Sequence, residues 1–312
     1  MSNLETYPAL TPCHAAPEGS PAAQVFQPRE VPLGGIRGIR VERVLPQRAL
    51  TTVGAWCFLD RFGPQRADMR VLPHPHTGLQ TVTWPLAGEI RHRDTLGSDL
   101  VLRPGQLNLM TAGAGVAHSE FSLGEQPLLD ALQLWTALPG DKAGVGAAFE
   151  QHTELPRHTS AGCTATVFLG ALGDAVSPAT AYTPIVGADL AITGRATLPL
   201  RPDFEYALLL VEGALDVAGV ALTTGPLLYL GTGRAELVLS APERARAVLL
   251  GGEPFPEELV MWWNFVGRDH EEIAAARKRW ETGGFGEVAG HGGERIPAPE
   301  LPGVRLKPRA RH

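Results

Sequence analysis

The sequence predicts an all-β chain: two tandem antiparallel β-barrels of jelly-roll type, closed by one helix near the C-terminus. Three observations carry that prediction. Turn signals recur at gaps of about 8–11 residues. Apolar residues between the turns alternate with period 2. The order of turns in the first half recurs in the second. Composition agrees. The 312 residues suffice for two domains, and 36 Gly with 27 Pro make the chain rich in turns, while only 19% of residues are charged.

Taken in order, residues 1–29 are rich in Pro and Ala and read as a loosely structured tail. A first barrel is expected over 30–150. Its turns fall at Ala87-Gly88, Gly97-Ser98, Pro104-Gly105, Gly113 to Gly115, and Gly124. Val82, Trp84 and Leu86 share one strand face, opposite Thr81 and Thr83. Leu107, Leu109 and Thr111 do the same opposite Asn108 and Met110. The looser stretch 139–162 reads as the link between halves. A second barrel, with its helix, is expected over 160–290. There Val211-Glu212-Gly213-Ala214-Leu215 aligns with Leu86-Ala87-Gly88-Glu89-Ile90. Asp269 is the expected N-cap of the helix, with Glu272 as its capping-box partner. Ile273, Ala276 and Trp280 share its apolar face, and Gly283-Gly284 stops it. Residues 291–312 read as a second loose tail, ending in Arg305, Lys307, Arg309 and Arg311.

Charge and cysteines narrow the function classes. A net charge of −6 argues against a nucleic-acid binder that works by bulk positive charge. Cys13, Cys57 and Cys163 have no short spacing, so neither a disulfide framework nor a zinc ribbon is expected. No basic start followed by an apolar run opens the chain, and no apolar stretch approaches the roughly 18–20 residues of a membrane span. The expectation is a cytoplasmic chain without membrane contact.

Histidines mark the chemistry. His74 and His76 form His-x-His, and His118 and Glu120 form His-x-Glu. Residues i and i+2 of a strand point to one face, so each pair aims two donor atoms into the same interior. A lone strand histidine is usually a packed core residue, but two such pairs in strand context point to a metal site. Three imidazoles and one carboxylate suit Fe, Mn, Ni, Cu or Co better than structural zinc. On an octahedral ion they leave two positions open for catalysis. His92 is the nearest rival; lacking a ligand at i+2, it reads as supporting a ligand rather than being one. The second half serves as a control. It has no histidine between residues 159 and 269, and the positions matching the ligands are Pro199, Arg201, Val238 and Ser240. One metal per chain is expected, in the first barrel.

These motifs resemble one family. His74-Pro75-His76-Thr77-Gly78, His92-Arg93-Asp94, Arg103-Pro104-Gly105, Met110-Thr111-Ala112-Gly113 and His118-Ser119-Glu120 resemble the pirin family of the cupin superfamily. Phe58-Leu59-Asp60 resembles the motif that precedes the pirin metal site. The likeness covers roughly residues 35–290 and is strongest over 56–121. It departs at Gln80, where cupins usually carry Glu. The resemblance implies a bicupin with one mononuclear Fe2+, or another divalent first-row metal, on His74, His76, His118 and Glu120. It implies quercetin 2,3-dioxygenase activity, an oxidoreductase reaction in which O2 opens a small aromatic flavonol with loss of carbon monoxide. Glu120 would then also serve as the catalytic base. Phe58, Trp84, Met110 and Phe121 are the expected pocket neighbours. The alternative that the resemblance implies is an iron-dependent redox-sensing regulator that binds a protein partner, either a transcription factor or a metabolic enzyme, without turnover.

Overall fold

A computed structural model describes residues 11–13, 21–33 and 39–308 of the chain. It is built from antiparallel strands with one α-helix. The first half contains β2 (Arg29–Leu33), β3 (Ile39–Leu45), β4 (Trp56–Arg66), β5 (Arg70–His76), β6 (Leu79–Ala87), β7 (Ile90–Asp94), β8 (Asp99–Leu102), β9 (Leu107–Thr111), β10 (Val116–Ser122), β11 (Leu128–Ala137) and β12 (Ala148–His152). They form two sheets. A seven-stranded sheet runs β12-β9-β6-β11-β4-β3-β2, and a four-stranded sheet runs β5-β10-β7-β8. The chain therefore alternates between sheets after most turns. That alternation lets β5 and β10 lie side by side although 39 residues separate them.

Residues 21–29 correct the expected loose tail. Pro21–Phe26 forms strand β1, and it pairs not with the first half but with β17 (Leu227–Gly231) of the second. An unpaired sheet edge offers a row of N–H and C=O groups, and β1 satisfies them. The second half is built on β13 (Arg157–Ser160), β14 (Cys163–Leu172), β15 (Ile185–Pro199), β16 (Glu205–Glu212), β17 and β18 (Glu236–Gly252), in the order β13-β14-β15-β18-β16-β17-β1. The expected linker is thus partly strand: β12 extends the first half and β13 opens the second.

Period 2 explains how β6 serves two interiors. Val82 and Trp84 face the second half, where the Trp84 ring stacks on Phe168 with centroids 5.0 Å apart. Thr83, on the other face, points at the four-stranded sheet and donates to Glu120. Both faces are buried. Leu132 and Leu134 of β11 join Val82 in a core shared with Phe168, Leu209 and Leu250. The second half has a separate aliphatic core that includes Leu190, Leu208 and Leu249.

The helix α1 (His270–Glu281) forms where the capping signal predicts. Asp269 Oδ1 accepts the Glu272 N–H at 2.9 Å. Glu272 Oε2 accepts from the Arg268 N–H, one residue beyond the expected capping-box partner. Ile273, Ala276 and Trp280 are buried against the hairpin of Leu259–Trp262 and Phe265–Gly267. The tail expected to be loose has no regular structure but is pinned in place. Trp280 Nε1 donates to the Ile296 carbonyl, the Ile296 N–H donates to the Pro73 carbonyl, and Leu306 is buried. Arg305 pairs with Glu271, and both side chains stay more than half exposed. Arg309 and Arg311 lie outside the described residues. Among the described residues, no helix is long and apolar enough to cross a membrane.

Candidate metal centre

The centre begins with the local structure of β5. Its sequence RVLPHPH alternates histidines with Pro73 and Pro75, which cannot donate to a ladder. The register shifts between His118 and Glu120 of β10: His118 faces His74 while Glu120 faces Val71, so β5 carries one extra residue there. On its other side β10 pairs with β7, His118 against Asp94 and Glu120 against His92. The four-stranded sheet therefore presents His74, His76, His118 and Glu120 to the interior, with His92 beside them.

His74, His76 and His118 offer donor atoms that all lie within 4.8 Å of one another. Glu120 joins through His118; the second close group is His92, His118 and Glu120. His118 is thus common to both groups. None of these five side chains is more than 1% exposed. Burial lowers the His74 pKa to about 4. Burial, then the neighbouring rings, hold His76 and His118 well below the ordinary imidazole value. All three rings are therefore neutral at pH 7. His74 Nδ1 lies 2.8 Å from the Leu72 carbonyl, which accepts its proton and leaves the Nε2 lone pair facing the cluster.

The donor set fits a divalent metal. The Nε2 atoms of His76 and His118 are 3.2 Å apart. Two metal–nitrogen bonds of about 2.1 Å at right angles place adjacent donors about 3 Å apart. A buried, neutral, nitrogen-rich cluster with one carboxylate is what a metal requires of its ligands before it binds.

Neighbours fix the cluster. Thr83 Oγ1 donates to Glu120 Oε1 at 2.8 Å. The Trp135 ring meets His76 edge-on, with centroids 5.2 Å apart, and Phe58 stacks behind Trp135 at 3.9 Å. Phe149 stacks on His92 at 4.4 Å. His92 Nε2 lies 3.0 Å from Asp94 Oδ2. Burial alone would raise the Asp94 pKa, but hydrogen bonds from His92 and Ser98 outweigh it and hold the carboxyl below its ordinary value.

Comparison with known proteins agrees with this fold. The pirin family profile matches residues 38–136, and that of the pirin C-terminal cupin domain matches 185–286. The chain belongs to the pirin family. A Pseudomonas aeruginosa pirin relative, provisionally named a quercetin 2,3-dioxygenase, is 45% identical over 97% of this chain and 98% of its own. A Caulobacter vibrioides pirin-like protein is 34% identical over 88% of this chain and 99% of its own. The crystal structure of a quercetin 2,3-dioxygenase from Acinetobacter baumannii superposes with a TM-score of 0.86 at 38% identity, covering 91% of this chain and 98% of that one.

Against that family background, the pocket neighbours need correction. Trp84 faces the second half, where its Nε1 donates to Asp189 at 2.9 Å. Phe121 packs under Arg70 and edge-on to His291, away from the ligands. Phe58 reaches the site only through Trp135. The residues that sequence reasoning missed are Trp135, Phe149, Thr83 and Asp94. Asp94 had a signal, His-x-Asp in β7, because i+2 spacing makes it the partner of His92. Trp135 and Phe149 had none, since cross-sheet packing alone brings them in. Gln80 sits outside the cluster as a strut: its Nε2 donates to Thr111 and to the Thr180 carbonyl, and its Oε1 accepts from Thr136.

Proposed function

We propose that this pirin holds one Fe2+ on His74, His76, His118 and Glu120 and opens a flavonol of the quercetin kind with O2 in the cytoplasm. The carrying observation is the convergence of three buried, neutral imidazoles beside the Glu120 strand. The names of the Pseudomonas and Acinetobacter relatives support the substrate class. When bound, the metal supplies Lewis acidity toward a flavonol hydroxyl and redox chemistry toward O2.

The chain's residues do the rest. Glu120 is the carboxylate placed to take the proton of the flavonol hydroxyl as general base. The Thr83 hydroxyl holds one carboxylate oxygen and so fixes the direction of that proton transfer. Trp135 and Phe149 present ring surface beside the histidines, which excludes water from the reacting anion. The second half, with no histidine at the matching positions, does not repeat the site; it packs on the face of β6 opposite Thr83 and Glu120.

The test is elemental analysis of the iron-reconstituted chain, then O2 uptake and carbon monoxide release across a flavonol panel. One metal per chain and flavonol-dependent uptake are expected. Glu120→Gln should retain some iron yet lose a further factor on the order of 10²–10⁴ in rate per iron. Equal rates per iron would reject the base role. An iron-loaded chain that consumes no O2 with any flavonol would replace this reading with the regulator that binds a protein partner.

A further inference from the structure

A line of three buried side chains runs away from the ligand cluster. His118 Nδ1 and His92 Nδ1 are 3.3 Å apart. His92 Nε2 is 3.0 Å from Asp94 Oδ2. Asp94 Oδ1 accepts the N–H groups of Leu96 at 2.9 Å and Ser98 at 3.0 Å. None of the three is more than 2% exposed. The stack of Phe149 on the His92 ring, 22° from parallel, holds that ring in plane.

Proton bookkeeping gives the line a direction. An ionised carboxylate only accepts, so the proton between His92 and Asp94 sits on His92 Nε2. For His118 to offer Nε2 to a metal, its own proton must sit on Nδ1, so His92 Nδ1 must present a lone pair to it. His118 Nδ1 is the N–H that donates to that lone pair. The lone pair of His118 is then on Nε2, the atom that converges with His76 Nε2. Both nitrogens of His92 are occupied in this arrangement, so neither is left for an ion.

We propose that the His92–Asp94 pair is a positioning device for the metal, fixing His118 in the tautomer that offers Nε2 as a donor. The inference rests on the metal reading above. It assigns to His92 and Asp94 a role in metal affinity, exerted wholly through His118.

The test uses the full chain and zinc as a spectroscopically silent probe, with affinity read by competition against a chelating dye. Asp94→Asn keeps the shape. Its single amide oxygen stays with the Leu96 and Ser98 N–H groups, so its NH2 turns toward His92 Nε2. Each proton in the line then reverses, and His118 Nε2 is protonated. Zinc affinity should fall by about 10- to 100-fold. His92→Phe keeps the stack on Phe149 and should cost a similar factor. The double variant should bind no more weakly than His92→Phe alone, because Asp94 acts through His92. A full additional loss in the double variant would make Asp94 merely structural and overturn the proposal. Loss of zinc in His92→Phe as complete as in His76→Ala would make His92 a ligand and overturn it too. Independently of any variant, nitrogen-15 imidazole spectra of the zinc-loaded wild type should show His92 protonated on Nε2 and His118 on Nδ1. A proton on His92 Nδ1 would overturn the proposal. Wild-type chain that binds no zinc defeats the metal reading itself; wild-type binding with unchanged affinity in Asp94→Asn defeats only this inference.

Discussion

Three imidazoles packed together without solvent must stay neutral, and this sets how the centre responds to acid. In an unfolded chain each ring titrates near 6.5. In the fold His74 titrates at about 4, because burial disfavours its charged form. Above 6.5 both states leave the ring neutral, and it contributes no difference. Below 6.5 the unfolded chain binds the proton first, so stability falls as pH drops from 6.5 toward 4. For His74 alone the loss is about 3 kcal/mol. Urea denaturation of the metal-free chain at pH 7.5, 6 and 5 should show this decline. A flat profile, or one unchanged by His74→Phe, would mean that the rings are solvated. His76→Ala should abolish metal binding while circular dichroism stays that of the wild type, since the cores shown here do not depend on one ion. An unfolded variant would make the metal structural. The two pairs, His74 with His76 and His118 with Glu120, were legible because strand periodicity alone aligns i with i+2. Their tautomers were not, because those depend on Leu72, His92 and Asp94.

Individual elements show how the site is carried. β5 sets two prolines beside two histidines. The prolines give up ladder donors, and the bulge opposite β10 accommodates the extra residue. The turn from β5 to β6 needs Gly78, whose φ is +71 and whose added Cβ would sit 2.1 Å from the Val266 carbonyl oxygen. That close approach brings the hairpin of Phe265–Gly267 against the ligand strand, with Thr77 bridged to Phe265. α1 then clamps the hairpin. A helix of 12 residues is marginal in water by itself, so its stability comes from burying Ile273 and Trp280. Trp280→Ala should cost about 3–5 kcal/mol. A chain ending at residue 267 should melt well below the full chain, and equal melting temperatures would mean that the helix is an appendage. The helix was legible in full from Asp269 to Gly283. The anchoring of 291–308 was not, because isolated Ile296 and Leu306 in a Pro- and Gly-rich stretch show no periodicity.

At the scale of the whole molecule the two halves share a core rather than touching at a rim. Trp84 and Arg246 both bind Asp189, with Arg246 Nη2 2.6 Å from its Oδ2. Gly54 N–H and Tyr229 Oη donate to the buried Glu205, which ties a loop of the first half to a strand of the second. Asp189→Ala would strand the Arg246 charge and the Trp84 N–H. It should cost about 3 kcal/mol, the low end for breaking a buried pair, because Arg246 keeps an edge in solvent. Denaturation of the metal-free variant checks this. Metal content should stay at one per chain, since the cluster lies wholly in the first half. A loss of metal in Asp189→Ala would show that the halves are coupled at the site.

By itself, the sequence determined the strand-rich class, the twofold repeat, the α1 helix and the spacing that pairs His74 with His76 and His118 with Glu120. Those features rest on spacing within one element, which a linear chain records directly. Only the tertiary structure decided that β1 crosses to the second half, that Trp84 faces Asp189 and not the ligands, and that Trp135, Phe149, His92 and Asp94 surround the cluster. Such contacts are set by which sheet a strand joins and by its register there, and two residues far apart in the chain carry no local mark of meeting.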